Sequence, residues 1–139
     1  MPAVPAPDYL RLAYRPDLHL LFMRWTRVVS SEEHRAGYAA ALALAAAAQC
    51  SHWLIDLRVR GLASSEDFHW VLTAFRPQLP QVLPAPRRLA YLVTPYQAET
   101  INARLAATEP GLPEAVRRSA EVRAFTEELP AQHWLQLGS

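Results

Sequence analysis

The chain has 139 residues, 51% hydrophobic and 19% charged, and its fourteen basic residues against thirteen acidic ones give a formal net charge of +1. This length fits one domain that buries a shared core without disulfide or metal, and the composition is too apolar for disorder. The near-zero charge supplies no field for nucleic acid, the absence of Lys excludes Schiff-base and P-loop lysine chemistry, and the single Cys50 excludes an intramolecular disulfide or a CxxC site and points to a reducing, cytoplasmic compartment.

Residues 1–7 carry three prolines and neither the basic start nor the apolar segment of a secretory signal, so they read as a stiff, frayed lead-in. From residue 8 to residue 25 apolar positions alternate: Leu10, Leu12 and Tyr14, then Leu18, Leu20 and Phe22. Arg15-Pro16-Asp17 stands between them to turn the chain. This predicts an antiparallel hairpin. His19, Leu21, Met23 and Trp25 fill the other face of its second strand, which places that strand inside a sheet and the first at its edge.

Ser30 and Glu33 have capping-box spacing, which predicts a helix start, and the Ala-rich run through Tyr38, Leu42 and Ala45 to about Gln49 sustains it. The longest apolar stretch, residues 36–50, falls short of the roughly 18 to 20 residues of a membrane span. Trp53-Leu54-Ile55-Asp56-Leu57 reads as a strand covered on both faces. After Gly61, Ser64 and Asp67 repeat the cap spacing, and Phe68, Val71, Leu72 and Phe75 form an amphipathic stripe; Pro77 should weaken this helix at Arg76.

Residues 78–86, with Pro80, Pro84 and Pro86, read as an irregular connection, and Leu89-Ala90-Tyr91-Leu92-Val93 as a second buried strand. Thr94-Pro95 then opens a third helix through Ile101 and Leu105, which the segment Glu109-Pro110-Gly111-Leu112-Pro113 interrupts. Val122 and Ala124 alternate with Glu121 and Arg123, predicting a half-exposed edge strand before Phe125. A last helix follows, capped by Thr126 or beginning at Pro130, with Trp134, Leu135 and Leu137 on its buried side. The predicted order is ββαβαβαβα in one α/β domain over 1–139: a mixed sheet of about five strands with a parallel centre and helices packed on it.

No catalytic signature appears. The five histidines have no i, i+4 pair and no HExxH, and Glu66 with His69 is one half of a di-metal pattern whose other half is missing, so no metal or other cofactor is expected. There is no GxSxG elbow and no glycine-rich phosphate loop. Arg87-Arg88 and Arg117-Arg118 lack interleaved aromatics and read as solvated.

The chain resembles the STAS-like, or SpoIIAA-like, proteins, whose fold is shared with the Sec14-type lipid carriers. The resemblance rests on the hairpin leading to Trp25, the strand ending Trp53-Leu54-Ile55-Asp56-Leu57-Arg58, the helix start Ser64-Ser65-Glu66-Asp67-Phe68-His69-Trp70, the strand over residues 89–93 and the closing segment from Phe125 to Trp134-Leu135. It implies a SpoIIAA-like sheet. In the anti-sigma-factor antagonists of that group a serine after the corresponding strand is phosphorylated, which implies Ser64 or Ser65; here Ala63 and Glu66 flank the pair.

Ligands of open sheets gather beyond the carboxyl ends of parallel strands, where Trp25, Arg27, Arg58, Arg60, Ser64 and Tyr96 are expected to converge, with Trp70 lining the same pocket. Asp56 either orients a ligand there, caps the following loop or pairs with Arg58. Such a pocket suits a small anionic ligand or a lipid head group. The leading expectation is a non-enzymatic binding or regulatory module that acts through protein contacts, including a homodimer. A small-ligand or lipid carrier is the alternative, and an enzyme with an unrecognised site the third.

Overall fold

The computed structural model describes residues 7–137, so the predicted lead-in lies outside the described residues except for Pro7. Five strands form one mixed sheet in chain order: β1 (Leu10–Arg15), β2 (Leu20–Trp25), β3 (His52–Asp56), β4 (Arg88–Leu92) and β5 (Glu121–Phe125). β1 pairs antiparallel to β2, and the other neighbours run parallel. Trp53 lies beside Leu89 in the middle of the sheet, and both are buried.

Three helical segments return the chain between the parallel strands: α1 (Ser31–Ala48), a segment that opens with α2 (Ser65–Trp70), and α4 (Pro95–Thr108). Because every crossover advances to the next strand in the same direction, right-handed connection places all three on one face. Trp25, Trp53, Ile55 and Tyr91 from the sheet meet Tyr38, Val71, Phe75 and Ile101 there. The last helix, α6 (Glu128–Gln136), covers the other face with Ala131 and Leu135 over Leu20, Leu54, Ala90 and Leu92. Leu137, expected to be buried, is 59% exposed because the helix ends before it.

Local chemistry sets the helix ends. Ser30 and Glu33 form the full capping box of α1, and Gln49 closes it in a left-handed conformation. Thr94 and Gln97 make a second box on α4. Glu127, not Thr126, precedes α6, and Pro130 falls in its first turn.

The largest departure from expectation lies at Pro77. The chain does not break there: a π-helical turn (Val71–Phe75), a 3-10 turn (Arg76–Gln78) and α3 (Leu79–Val82) prolong α2. Pro77 and Pro80 each stand in the first turn of a new segment, and the change of hydrogen-bond register from π to 3-10 to α accommodates their missing N–H groups. Arg76 stays helical despite preceding a proline because tertiary contacts hold it. Its Nε donates to Ser119 Oγ at 3.2 Å, its Nη2 to the carbonyls of Val116 and Ala120 at 2.9 and 3.2 Å, and its Nη1 pairs with Glu109. The interrupted segment after α4 holds a 3-10 turn (Glu109–Gly111) and α5 (Glu114–Arg117), which present those acceptors.

Candidate functional site

The pleat divides the expected site residues between the two faces of the sheet. Successive side chains on a strand point to opposite sides, so Asp56 shares its face with its register partner Arg24 and not with Trp25. Arg24 Nη1 donates to Asp56 Oδ2 at 3.0 Å and both its terminal nitrogens reach the Glu128 carboxylate at 2.9 and 3.0 Å. Arg58 adds a backbone N–H and a side-on fork to Asp56. Burial pushes the Asp56 carboxyl up, but hydrogen bonds from Arg58 and Arg24 outweigh it and hold it below its ordinary value. Asp56 and Arg58 therefore clamp α6 to the sheet; Asp56 and Trp25 still line a common cleft of about 260 Å³ with Arg24 and Val59, apart from the one that Arg60 borders.

Two other candidates also lie apart from it. Arg27 binds Glu33 and Asp8 and covers the Tyr9 ring, while Tyr96 points outward from the first turn of α4 with 94% of its surface exposed.

What remains gathers on the α1 face around Arg60. Trp25 forms a floor: its ring stacks between Tyr9 and His34, with centroids 6.0 and 6.1 Å away, and Arg60 lies 4.5 Å above it. Gly37 makes that floor fit, because a Cβ there would stand 2.4 Å from Trp25 Cη2. His34, on the buried stripe of α1, accepts at Nδ1 from Arg60 Nη1 at 2.9 Å and donates at Nε2 to the Asp67 carbonyl at 3.2 Å. Arginine can only donate and a backbone carbonyl can only accept, so this pairing fixes the tautomer and a neutral ring. Burial first, then the charge on Arg60, lowers its pKa to about 4. Trp70 packs edge-on against His34 and lies behind it.

Arg60 is 7% exposed, and burial pulls its guanidinium below its ordinary value. Among the described residues it has no carboxylate within ion-pair distance, and His34 is its only hydrogen-bonding side chain. Buried Arg76 is held by four acceptors including a carboxylate; buried Arg60 is held by one ring nitrogen and an indole face. A buried charge without compensation is costly.

The unpaired cation borders a cleft of about 380 Å³ between the starts of α1 and α2, walled by Val28, Val29, Ser30, Ser31, Leu62, Ala63, Ser64 and Asp67. This lies beyond the carboxyl ends of β2 and β3 as expected, but on one face only, since a sheet wound in a single direction has no switch-point crevice. Ser64 accepts from the Asp67 amide as a helix cap, and Ser65 is exposed at the first helical position. Asp67 takes the Ser31 hydroxyl on Oδ2 at 3.0 Å and leaves buried Oδ1 without a donor. Of the three buried polar side-chain atoms lacking partners among the described residues, Trp25 Nε1 and Asp67 Oδ1 belong to residues around Arg60.

Sequence reasoning overlooked His34, Ser31 and Asp67. A visible signal existed for His34, which falls on the stripe of Tyr38, Ala41 and Ala45. Among the described residues no group of three or more His, Cys, Asp or Glu could hold a metal, and no helix is long and apolar enough to cross a membrane. Comparison of the chain with family models, with curated proteins and with solved structures gave no match.

Proposed function

We propose that this protein is a non-enzymatic, STAS-like binding module of the cytoplasm that holds a small anionic ligand in the cleft beside Arg60. One observation carries the reading: a guanidinium that is more than nine-tenths buried, has no carboxylate within ion-pair distance among the described residues, and borders an open cleft large enough for a metabolite. The sheet order, in which consecutive parallel strands are neighbours, is compatible with a SpoIIAA-like winding, and the buried thiol of Cys50 suits a reducing compartment. Native mass spectrometry of freshly purified protein tests the reading. A small adduct on the wild type that is absent from an Arg60→Gln variant supports it, whereas a bare monomer mass in both counts against it.

A second reading, a protein-contact module that includes self-association, draws on a different feature. Val28, Val59, Tyr96 and Leu129 are 73%, 68%, 94% and 63% exposed, and one sits just after each of the four parallel strands. Large apolar side chains concentrated at one end of a sheet suit a partner surface. The same spectrum reports a dimer if this surface closes on a second copy.

A further inference from the structure

We infer that the occupant of the Arg60 cleft is a small carboxylate with a hydrogen-bond donor beside it, the chemistry of an α-amino or α-hydroxy acid, and not a phosphate. The inference rests on the binding reading above and specifies its ligand.

The free edge of Arg60 has the shape that a carboxylate fits. His34 occupies Nη1 of Arg60, which leaves Nε and Nη2 without partners among the described residues. These two nitrogens form the side-on edge of the guanidinium, which offers two parallel N–H groups to a planar oxyanion. The same chain uses this edge twice on carboxylates. Arg58 reaches Asp56 through Nε and Nη2 at 3.0 and 2.9 Å, and Arg15 reaches Asp17 through the same pair at 2.9 and 2.6 Å. At Arg60 the edge is identical and the carboxylate is missing from the protein.

Charge favours a carboxylate as well. A phosphate monoester brings nearly two negative charges, and the cleft has one cation to meet them. His34 is held neutral by its two bonds, Arg27 is engaged by Glu33 and Asp8, and Arg104 donates to the Ala63 carbonyl and lies over Phe68. The chain has no Lys. Asp67 on the cleft wall already offsets part of the Arg60 charge and opposes further negative charge, so a singly charged or zwitterionic ligand suits the cleft better than a dianion.

Asp67 itself calls for a donor. It is 6% exposed, lines the cleft and has a buried Oδ1 that no donor satisfies. A turn of the Asp67 carboxylate would present this oxygen to the cleft, where a ligand that accepts from Arg60 and donates to Asp67 satisfies both. An ammonium or hydroxyl next to the carboxylate does this, and Val28, Val29 and Leu62 provide the apolar wall for a short side chain.

The test is a titration followed by ligand-observed NMR, at constant ionic strength, with L-alanine, L-lactate, propionate and inorganic phosphate. The proteins are the wild type, Arg60→Gln, Arg60→Lys and Asp67→Asn, each checked for native circular dichroism. Alanine and lactate should bind the wild type about tenfold more tightly than propionate or phosphate. Arg60→Gln should abolish binding, and Arg60→Lys, which keeps the charge but loses the fork, should weaken it. Asp67→Asn should reduce alanine and lactate to the level of propionate. Should Arg60→Gln fail to fold, Arg60→Lys carries the comparison. Arg60-dependent binding in which phosphate is tightest overturns the ligand class and leaves the binding reading standing. Equal affinity for propionate and alanine overturns the donor requirement. Absence of binding by all four probes up to about 10 mM overturns the class and the binding reading together.

Discussion

Replacing Gly37 by Ala should destabilise the protein, although the same change in an exposed helix interior stabilises by about 1 kcal/mol through helix propensity. Gly37 lies within α1 and faces the Trp25 ring. An added Cβ would stand 2.4, 2.9 and 3.2 Å from three carbons of that ring, where ordinary carbon contacts are about 3.5–4.0 Å. Tyr9, His34, Tyr38 and Arg60 pack against Trp25 and resist its displacement. Overpacking of this kind costs about 1–3 kcal/mol and at times more. With the clash on three atoms and the propensity gain subtracted, a net loss of about 2 kcal/mol is expected. For a chain of this length that lowers Tm by about 6–10 °C. Thermal unfolding followed by circular dichroism, with urea midpoints at unchanged slope, measures it. The displaced indole would also lift Arg60 from its floor, so ligand binding should weaken in the same variant. A rise in Tm would refute the packing argument.

Two further predictions concern the two faces of the sheet. The depressed pKa of His34, about 4 against an ordinary 6.5, means that the unfolded chain binds a proton there before the folded one does. Its contribution to stability is therefore complete above pH 6.5 and is lost as pH falls toward 4, by about 1–3 kcal/mol. His34→Gln should flatten the stability profile in that window, with the slope from His52, whose pKa burial also lowers, remaining; an unchanged profile would refute the assignment. Asp56→Asn should cost about 1–2 kcal/mol in urea unfolding by loosening Arg24, Arg58 and α6, while leaving ligand affinity at Arg60 intact. Loss of binding in this variant would place Asp56 in the site after all.

The strands were legible because their covering is simple. Alternation from Leu10 to Phe22 marks a hairpin with one edge strand, and unbroken apolar runs at Trp53 and Leu89 mark strands enclosed by helices on both faces. Capping boxes carry their own local chemistry, which is why the start of α1 could be read directly. Pro77 was misleading because the forces that keep Arg76 helical come from residues 109–120, more than thirty positions away. The site was half legible for a related reason. Proximity to strand ends brought Asp56, Arg58, Arg60 and Trp25 onto one list; Arg58 turns back to Asp56 on the α6 side, while Arg60 lies over Trp25 on the other. His34 and Asp67 acquire their roles only where α1 meets α2, a contact that no local pattern encodes.

The unfolding free energies of Arg60→Gln and Arg76→Gln, measured side by side without ligand, test the central assignment most directly. Both arginines are buried, but only Arg76 is tied into the fold by a carboxylate and three further acceptors. Arg76→Gln should lose about 3 kcal/mol, whereas Arg60→Gln should stay within about 1 kcal/mol of the wild type or exceed it, because it removes a buried charge that no ion pair within the protein holds. Equal losses in the two variants would make Arg60 a structural residue and contradict the account.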